Sequence, residues 1–455
     1  MLLYKTIRYT ESKQPMIYKQ PSGNAGEYYP AFFEMRLKVD HMIDLNTCTN
    51  AEFALFFHEY IHFLQDITTT YCLTNCYYIG EYIQSVVTDI NNKHKKGDTI
   101  IIPYIYNDNK DYTEVENLIR IITLGDVGES IPSLKITEWC KDNFTNLPNV
   151  EGLKEITGIC VSANESDIFS FGAYAIKENM AYIMERFLTK DFKKSDDYPY
   201  CAAEKIVEFE YPEFGRNILN VLALCDCSLM FTNPAHVFYY ILKDMKSKNY
   251  VPKKPQDLYD QLRNAKIGTG NNKTDVFSHF KIIGKEARKK MKSYFYVPNH
   301  PELHEAYHKW IDKVLDYAIY LRTKTPHFII DLCSIGQART NSLFADIVKN
   351  VGTPLIRDKR QEYFSVKPDG YNGFNVELLK AVKQLYNILH DGKIACELYP
   401  WCKGSNDINP TIDICLSKPW ERCKMPELCP VALLWKNWGL SEYTFKNSQN
   451  NSTIK

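Results

Sequence analysis

Residues 53–66 read FALFFHEYIHFLQD and place two histidines and a glutamate inside an otherwise apolar run. A buried helix tolerates one satisfied histidine. His58, Glu59 and His62 together need either several hydrogen-bond partners or one strong partner that they share. A metal ion is the simplest shared partner, so this HExxH motif is the first candidate site.

The motif is predicted to lie about two turns inside a helix. Thr49 and Glu52 form a capping-box pattern just before the apolar run, and no Gly or Pro follows until Gly80. Histidines four residues apart project from one helix face and can ligate one ion. The glutamate between them can take a proton from water that the metal has activated. This spacing favours hydrolytic chemistry.

HEYIH resembles the motif of the zincin metallopeptidases, and the resemblance is confined to such short motifs. It implies a zincin-like core in which His58 and His62 are zinc ligands and Glu59 is the general base. Gln65 and Thr68 occupy the positions that hold Gly and His in the metzincin extension HExxHxxGxxH, so that branch is excluded.

The gluzincin branch takes its third ligand, a glutamate, from a later helix, and GAYAIKENMAYIME resembles such a helix. Glu178 is the predicted ligand, because small residues such as Ala175 and Ala181 share its face and let two helices approach closely. Glu185 lies two turns on and is expected to orient a ligand histidine. Glu165 is the reserve candidate.

The proposed hydrolysis also needs a donor for the developing oxyanion, and a ligand histidine needs an acceptor for its second nitrogen. Asp66, one turn beyond His62, is a candidate for the acceptor. The sequence does not choose among several residues of the right type for the oxyanion donor: Tyr174, His236, Tyr239 and Tyr240.

A second HExxH occurs at His304, Glu305 and His308, in NHPELHEAYHKWID. Its histidines lie at the edge of an apolar stripe, Lys309 follows directly, and His300 extends the column by one turn. This context favours a solvated surface or an interface over a metal site.

Two functional alternatives remain open. Each HExxH contains ExxH, the pattern that helical di-iron carboxylate proteins contribute twice to one centre, with Glu178 and Glu185 as further ligands. That oxidoreductase would leave His58 without a role. The other alternative is a binding or regulatory protein that keeps the zincin scaffold without catalysis.

Five cysteines fall within 34 residues near the C-terminal end: Cys396, Cys402, Cys415, Cys423 and Cys429. Four thiolates can close a structural zinc or iron–sulfur site. No CxxC pair is present, so buried free thiols are an equal interpretation.

Composition limits the partners and the compartment. The 455 residues include 55 basic and 55 acidic side chains, so no overall field favours nucleic acid or an anionic membrane. The start, MLLYKTIRYTESKQ, has no apolar run of signal-peptide length, and 14 cysteines in so long a chain are typical of reduced thiols. We expect a cytoplasmic protein whose substrate is a protein or peptide, either one dedicated partner or many peptides.

The pattern of elements predicts a mainly helical α+β fold. The zincin-like catalytic core is expected over residues 1–250, a mixed helical region with the cysteine-rich end over 251–440, and a disordered tail over 441–455. Strands are predicted at MIYKQ, FFEMRLKV, IIIPYIY and HFIIDLC, and a linker or exposed loop near 252–275.

Overall fold

Helices make up most of the computed structural model, and the α+β, mainly helical class predicted from the sequence is confirmed. The structure describes residues 26–106, 110–128, 130–145, 155–189, 194–268, 273–296, 301–334, 336–371, 376–404, 412–426 and 429–448. The predicted strand MIYKQ lies outside these residues.

The helices of the described chain are α1 Asn50–Thr68, α2 Thr70–Lys93, α3 Lys110–Leu124, α4 Ala173–Leu188, α5 Asp197–Tyr200, α6 Ala202–Glu210, α7 Pro212–Gly215, α8 Ile218–Ser228, α9 Pro234–Ser247, α10 Gln256–Asn264, α11 Val276–Ser293, α12 Glu305–Lys324, α13 Phe328–Ser334, α14 Ser342–Val351, α15 Val376–Tyr386, α16 Tyr399–Gly404, α17 Ile412–Ser417 and α18 Pro430–Asn437. Short 3-10 segments are Pro301–Leu303, Ala338–Thr340, Pro419–Lys424 and Leu440–Glu442, and a π turn covers Asn387–Asp391. No helix among the described residues is both long and apolar enough to cross a lipid bilayer.

The strands are short: β1 Gly26–Tyr29, β2 Glu34–Leu37, β3 Thr99–Ile102, β4 Ile136–Phe144, β5 Ile156–Ala163, β6 Asp167–Phe171, β7 Lys266–Ile267, β8 Thr274–Asp275, β9 Leu355–Arg357, β10 Tyr363–Phe364 and β11 Thr444–Asn447. They form the sheets β1-β2-β9-β10, β4-β5-β6, β3-β11 and β7-β8. In the first sheet β2 pairs with β1 antiparallel and with β9 parallel, and Glu34 lies opposite Leu355. Among the strands that the structure describes, β1 is therefore at one edge of that sheet.

The predicted capping box at the start of α1 is confirmed. The Thr49 hydroxyl accepts a hydrogen bond from the Glu52 backbone N–H (3.2 Å), and the Glu52 carboxylate accepts one from the Thr49 N–H (2.9 Å). Although no Gly or Pro occurs before Gly80, the first helix ends at Thr68 and a second begins at Thr70. Thr69 has extended backbone angles, and its hydroxyl caps α2 by accepting from the Cys72 N–H. A threonine can therefore end one helix and start the next.

Apolar residues from Tyr28 to Phe445 join one hydrophobic core, in which α1 packs against α2, α4, α12 and β1. Elements on both sides of residue 250 thus surround the HExxH helix, and β2 pairs with β9 across the same boundary. The predicted division at about residue 250 stays a prediction.

Three local predictions need correction. HFIIDLC forms the helix α13 where a strand was expected, because a short apolar run buried on most sides carries no periodicity that separates strand from helix. The expected linker contains α10, whose Leu258, Tyr259 and Leu262 are buried. The tail predicted to be disordered from residue 441 begins with ordered structure, because β11 pairs parallel with β3. Residues 449–455 lie outside the described residues.

Candidate metal centre

Two histidines of α1 and one glutamate of α4 meet in the core. The Nε2 atoms of His58 and His62 each lie 3.4 Å from a different carboxylate oxygen of Glu178. All three residues are buried, with His58 8% exposed and the other two 1%. Within the described part of the chain, they form the one group of three or more His, Cys, Asp or Glu side chains whose ligand atoms lie within 4.8 Å of one another.

The other ring nitrogen of each histidine has its own acceptor. His58 Nδ1 lies 3.0 Å from Glu185 Oε2, the contact expected from the sequence. His62 Nδ1 lies 2.9 Å from Gln65 Oε1, and the Gln65 amide donates to the Lys177 carbonyl at 3.1 Å. An Nδ1–H held by an acceptor fixes the ring and directs Nε2 toward a ligand. Both imidazoles are therefore oriented as metal-binding histidines are.

Asp66 does not accept from His62, which corrects that prediction. Its Oδ2 accepts from the Tyr28 hydroxyl (3.0 Å) and the Ala31 N–H (2.8 Å). Asp66 follows Gln65, so its side chain leaves α1 about 100° further round the helix axis and faces the segment after β1. The Gln65 amide, one position earlier in the helix, faces His62.

Small side chains let α4 approach α1, as predicted. Ala175 and Ala181 are fully buried on the helix that carries Glu178.

Although burial raises the pKa of Glu178, His62 and His58 lower it well below its ordinary value, so the carboxylate is charged. A charged carboxylate at such depth requires a cation.

The pKa values of the two histidines are shifted in opposite directions. Burial lowers the pKa of His58, but its hydrogen bonds to Glu178 and Glu185 outweigh that effect and raise the pKa well above the ordinary value. Burial lowers the pKa of His62, which the charge of Glu178 only partly opposes. A proton on His58 or a bound cation would each supply the positive charge that the buried Glu178 carboxylate needs. Two imidazoles and a carboxylate are a donor set that suits zinc.

Glu59 is buried beside these ligands, and its Oε2 has no hydrogen-bond partner among the described residues. Burial raises the pKa of Glu59 to about 8, with the charge of His58 lowering it and that of Glu178 raising it. Gly26 of β1 lies against this carboxylate, since a Cβ at residue 26 would stand 2.5 Å from Glu59 Oε1. The strand therefore tolerates only glycine there without displacing Glu59.

A tyrosine that sequence reasoning missed borders the site. The ring of Tyr200, at the end of α5, lies 5.9 Å from that of His58 in an edge contact. Burial, and after it the charge of Glu178, raises the pKa of Tyr200 well above its ordinary value. Tyr200 lies 22 residues beyond Glu178 on a four-residue helix, and no sequence spacing pointed to it.

The four residues that the sequence offered as oxyanion donors do not lie together in the fold. Tyr174 is buried one turn before Glu178 and shares electrostatic contact with Tyr200. The remaining three lie on α9: Tyr239 packs on Trp139 with ring centres 4.5 Å apart, Tyr240 is 63% exposed, and His236 is half-buried near Lys141. The reserve ligand Glu165 lies in the turn between β5 and β6 and is not part of the ligand group.

The second HExxH forms no comparable group within the described chain. α12 begins at Glu305 with His304 at its N-cap, and exposed Glu305 pairs with Lys309. His308 Nε2 contacts the Lys292 carbonyl at 2.8 Å. His300 lies outside the described residues. Glu305 and His308 do not join the cluster around Glu178, so the structure does not assemble the paired ExxH centre of the di-iron alternative.

Searches of family models, curated proteins and solved structures find no match to this chain. The functional interpretation therefore depends on the geometry and chemistry of this site.

Proposed function

We propose that this chain is a zinc-dependent metallopeptidase with a zincin-like core. The observation that carries the proposal is the convergence of His58 Nε2 and His62 Nε2 on the Glu178 carboxylate, each at 3.4 Å, with both Nδ1 atoms held by acceptors. His58, His62 and Glu178 hold the metal. When bound by three protein ligands, zinc supplies an open coordination position that acidifies water and polarises a carbonyl group.

Glu59 is the general base. Its buried Oε2, without a protein partner among the described residues, accepts a proton from the attacking water and passes it to the leaving amine. The same donor set also suits iron(II). A carboxyl group beside the ligands favours hydrolysis, because hydrolysis needs a group that both takes and returns a proton. A bound dication would lower the pKa of Glu59 from about 8 and leave it ionised to act as the base.

A peptide is the favoured substrate because β1 is an edge strand and contacts Glu59 through Gly26. Most residues of β1 are buried, but an extended peptide can pair with the edge of a strand through backbone hydrogen bonds. All 14 cysteines are unbridged thiols, which supports a cytoplasmic location.

Metal content tests the ligand assignment. We expect one zinc ion per chain in the purified protein, its loss in His58→Ala and Glu178→Ala, and its retention in His304→Ala. The last variant is the matched control, since it removes the first histidine of the other HExxH. Elemental analysis of the four proteins measures this. Zinc content that is unchanged in both His58→Ala and Glu178→Ala would overturn the assignment. If the protein instead holds iron, and both variants lose it, redox chemistry would replace hydrolysis as the proposed function.

Tyr200→Phe tests the oxyanion donor. We propose that the Tyr200 hydroxyl stabilises the developing oxyanion, so its removal should lower kcat by about 10²–10³-fold. KM and zinc content should change little, because the phenyl ring keeps its contact with His58. Steady-state kinetics beside Tyr240→Phe, an exposed tyrosine of α9, provide the comparison. Equal kcat values for the two variants would exclude this role for Tyr200.

A further inference from the structure

Four of the five C-terminal cysteines line one small, mostly enclosed cavity. The four are Cys396, Cys402, Cys415 and Cys429. Cys423 is as well buried as they are but does not line the cavity, the five residues being 6 to 9% exposed. The structure thus selects four thiols where the sequence offered five.

These four thiols come from separate pieces of chain. Cys402 lies in α16, Cys415 in α17, and Cys429 is the N-cap of α18. The Cys396 N–H donates to the Cys415 carbonyl at 2.9 Å, which joins two of the pieces directly. A group bound by all four thiols would link these pieces of chain to one another.

The thiols influence one another electrostatically. Burial, followed by Cys429 and Cys415, raises the pKa of Cys402 to about 12, and Cys396 responds to the same neighbours. Burial also raises the pKa of Cys423, but the charges that act on this thiol are those of Glu421 and nearby lysines. Cys423 therefore does not share the electrostatic contacts that link the other four thiols.

The spacing of the sulfurs distinguishes between two cofactors. A zinc ion bound to four thiolates holds each sulfur at about 2.3 Å, so the sulfurs stand about 3.8 Å apart. In the described chain, only the ligand atoms of His58, His62 and Glu178 form a group of three or more within 4.8 Å. No three of the four sulfurs are therefore as close as a single zinc ion requires. A four-iron cluster binds each thiolate at a different corner and keeps the sulfurs farther apart around a central space.

The cavity wall also suits a negatively charged cluster. Arg422 is buried, lines the cavity and lowers the pKa of Cys402, so it places a positive charge beside the thiols. Leu398 and Val431 supply apolar surface, and Pro430 follows Cys429 directly. A cysteine followed by proline also ends the ligand run of bacterial ferredoxins.

We propose that Cys396, Cys402, Cys415 and Cys429 bind a [4Fe–4S] cluster. Cys423 is not a ligand. The cluster site is separate from the His58, His62 and Glu178 centre and does not depend on the function proposed for that centre.

Anaerobic purification followed by iron, sulfide and zinc analysis tests this proposal. We expect about four iron and four sulfide per chain, with a broad visible absorption that bleaches on reduction by dithionite and a paramagnetic signal in the reduced state. Cys396→Ser and Cys429→Ser should lose this iron and sulfide. Cys423→Ser, the matched control with similar burial, should keep both, and so should His58→Ala.

The outcomes separate the cofactors and the two sites. A single zinc ion lost in Cys396→Ser would replace the cluster with a mononuclear site. Iron retained in both ligand variants, or iron lost equally in Cys423→Ser, would overturn the ligand assignment. The proposal would also be overturned if the unaltered protein holds no cluster, even after anaerobic incubation with ferrous iron and sulfide. This result does not depend on whether the variants fold.

Discussion

Glu59→Gln is expected to lower the rate of peptide hydrolysis by about 10²–10⁴-fold while one zinc ion stays bound. The substitution keeps the size of the side chain but removes the ability to take a proton. Its amide cannot accept the proton of the attacking water or return it to the leaving amine. His58, His62 and Glu178 keep their positions, so the metal site should survive.

The measurement combines zinc analysis with cleavage of an unfolded protein mixture, read by mass spectrometry. Glu305→Gln is the matched control, because it makes the same change in the other HExxH, where Glu305 is exposed and paired with Lys309. That control should cleave like the unaltered chain. Loss of zinc in Glu59→Gln would contradict the role of base, and equal cleavage by both variants would overturn it. An unaltered chain that binds zinc but cleaves nothing would favour the non-catalytic zincin scaffold.

The local sequence around the HExxH motif was enough to predict much of the geometry of the candidate site. The capping box fixed where α1 begins, and the four-residue spacing placed both histidines on one face. The small residues around Glu178 correctly indicated a close helix approach, and Glu185 reached His58 as expected. These predictions succeeded because each depends on helix periodicity, which a sequence displays directly.

The parts that failed depend on contacts between distant segments. Gln65 and not Asp66 accepts from His62, because the Gln65 amide is held by the Lys177 carbonyl of α4 while Asp66 accepts from Tyr28 and Ala31. Gly26 and Tyr200 reach the site from β1 and α5, and neither has a periodic relation to the motif. The same limit explains the cysteines, since only the folded chain separates Cys423 from the four that line the cavity.

Asp226→Ala is expected to lower the free energy of unfolding by about 3–5 kcal/mol, because it leaves a buried charge without its partner. Asp226 and Arg322 are both fully buried and form two parallel hydrogen bonds of 2.7 and 2.9 Å. The Tyr259 hydroxyl also donates to Asp226 at 2.7 Å. Arg322 further donates to the Thr68 carbonyl at 2.8 Å, at the end of the helix that carries the HExxH motif.

Denaturant unfolding beside Asp244→Ala measures the effect. Asp244 pairs with Lys248 on an exposed face of α9, and such pairs contribute about 0–1 kcal/mol. A loss of less than about 1 kcal/mol in Asp226→Ala would contradict the prediction. Arg322→Lys should recover little of the stability, because an ammonium group cannot make the paired hydrogen bonds to Asp226 and still reach the Thr68 carbonyl. Since that carbonyl ends α1, loosening Arg322 should also weaken zinc retention, which links the stability of this ion pair to the proposed metal centre.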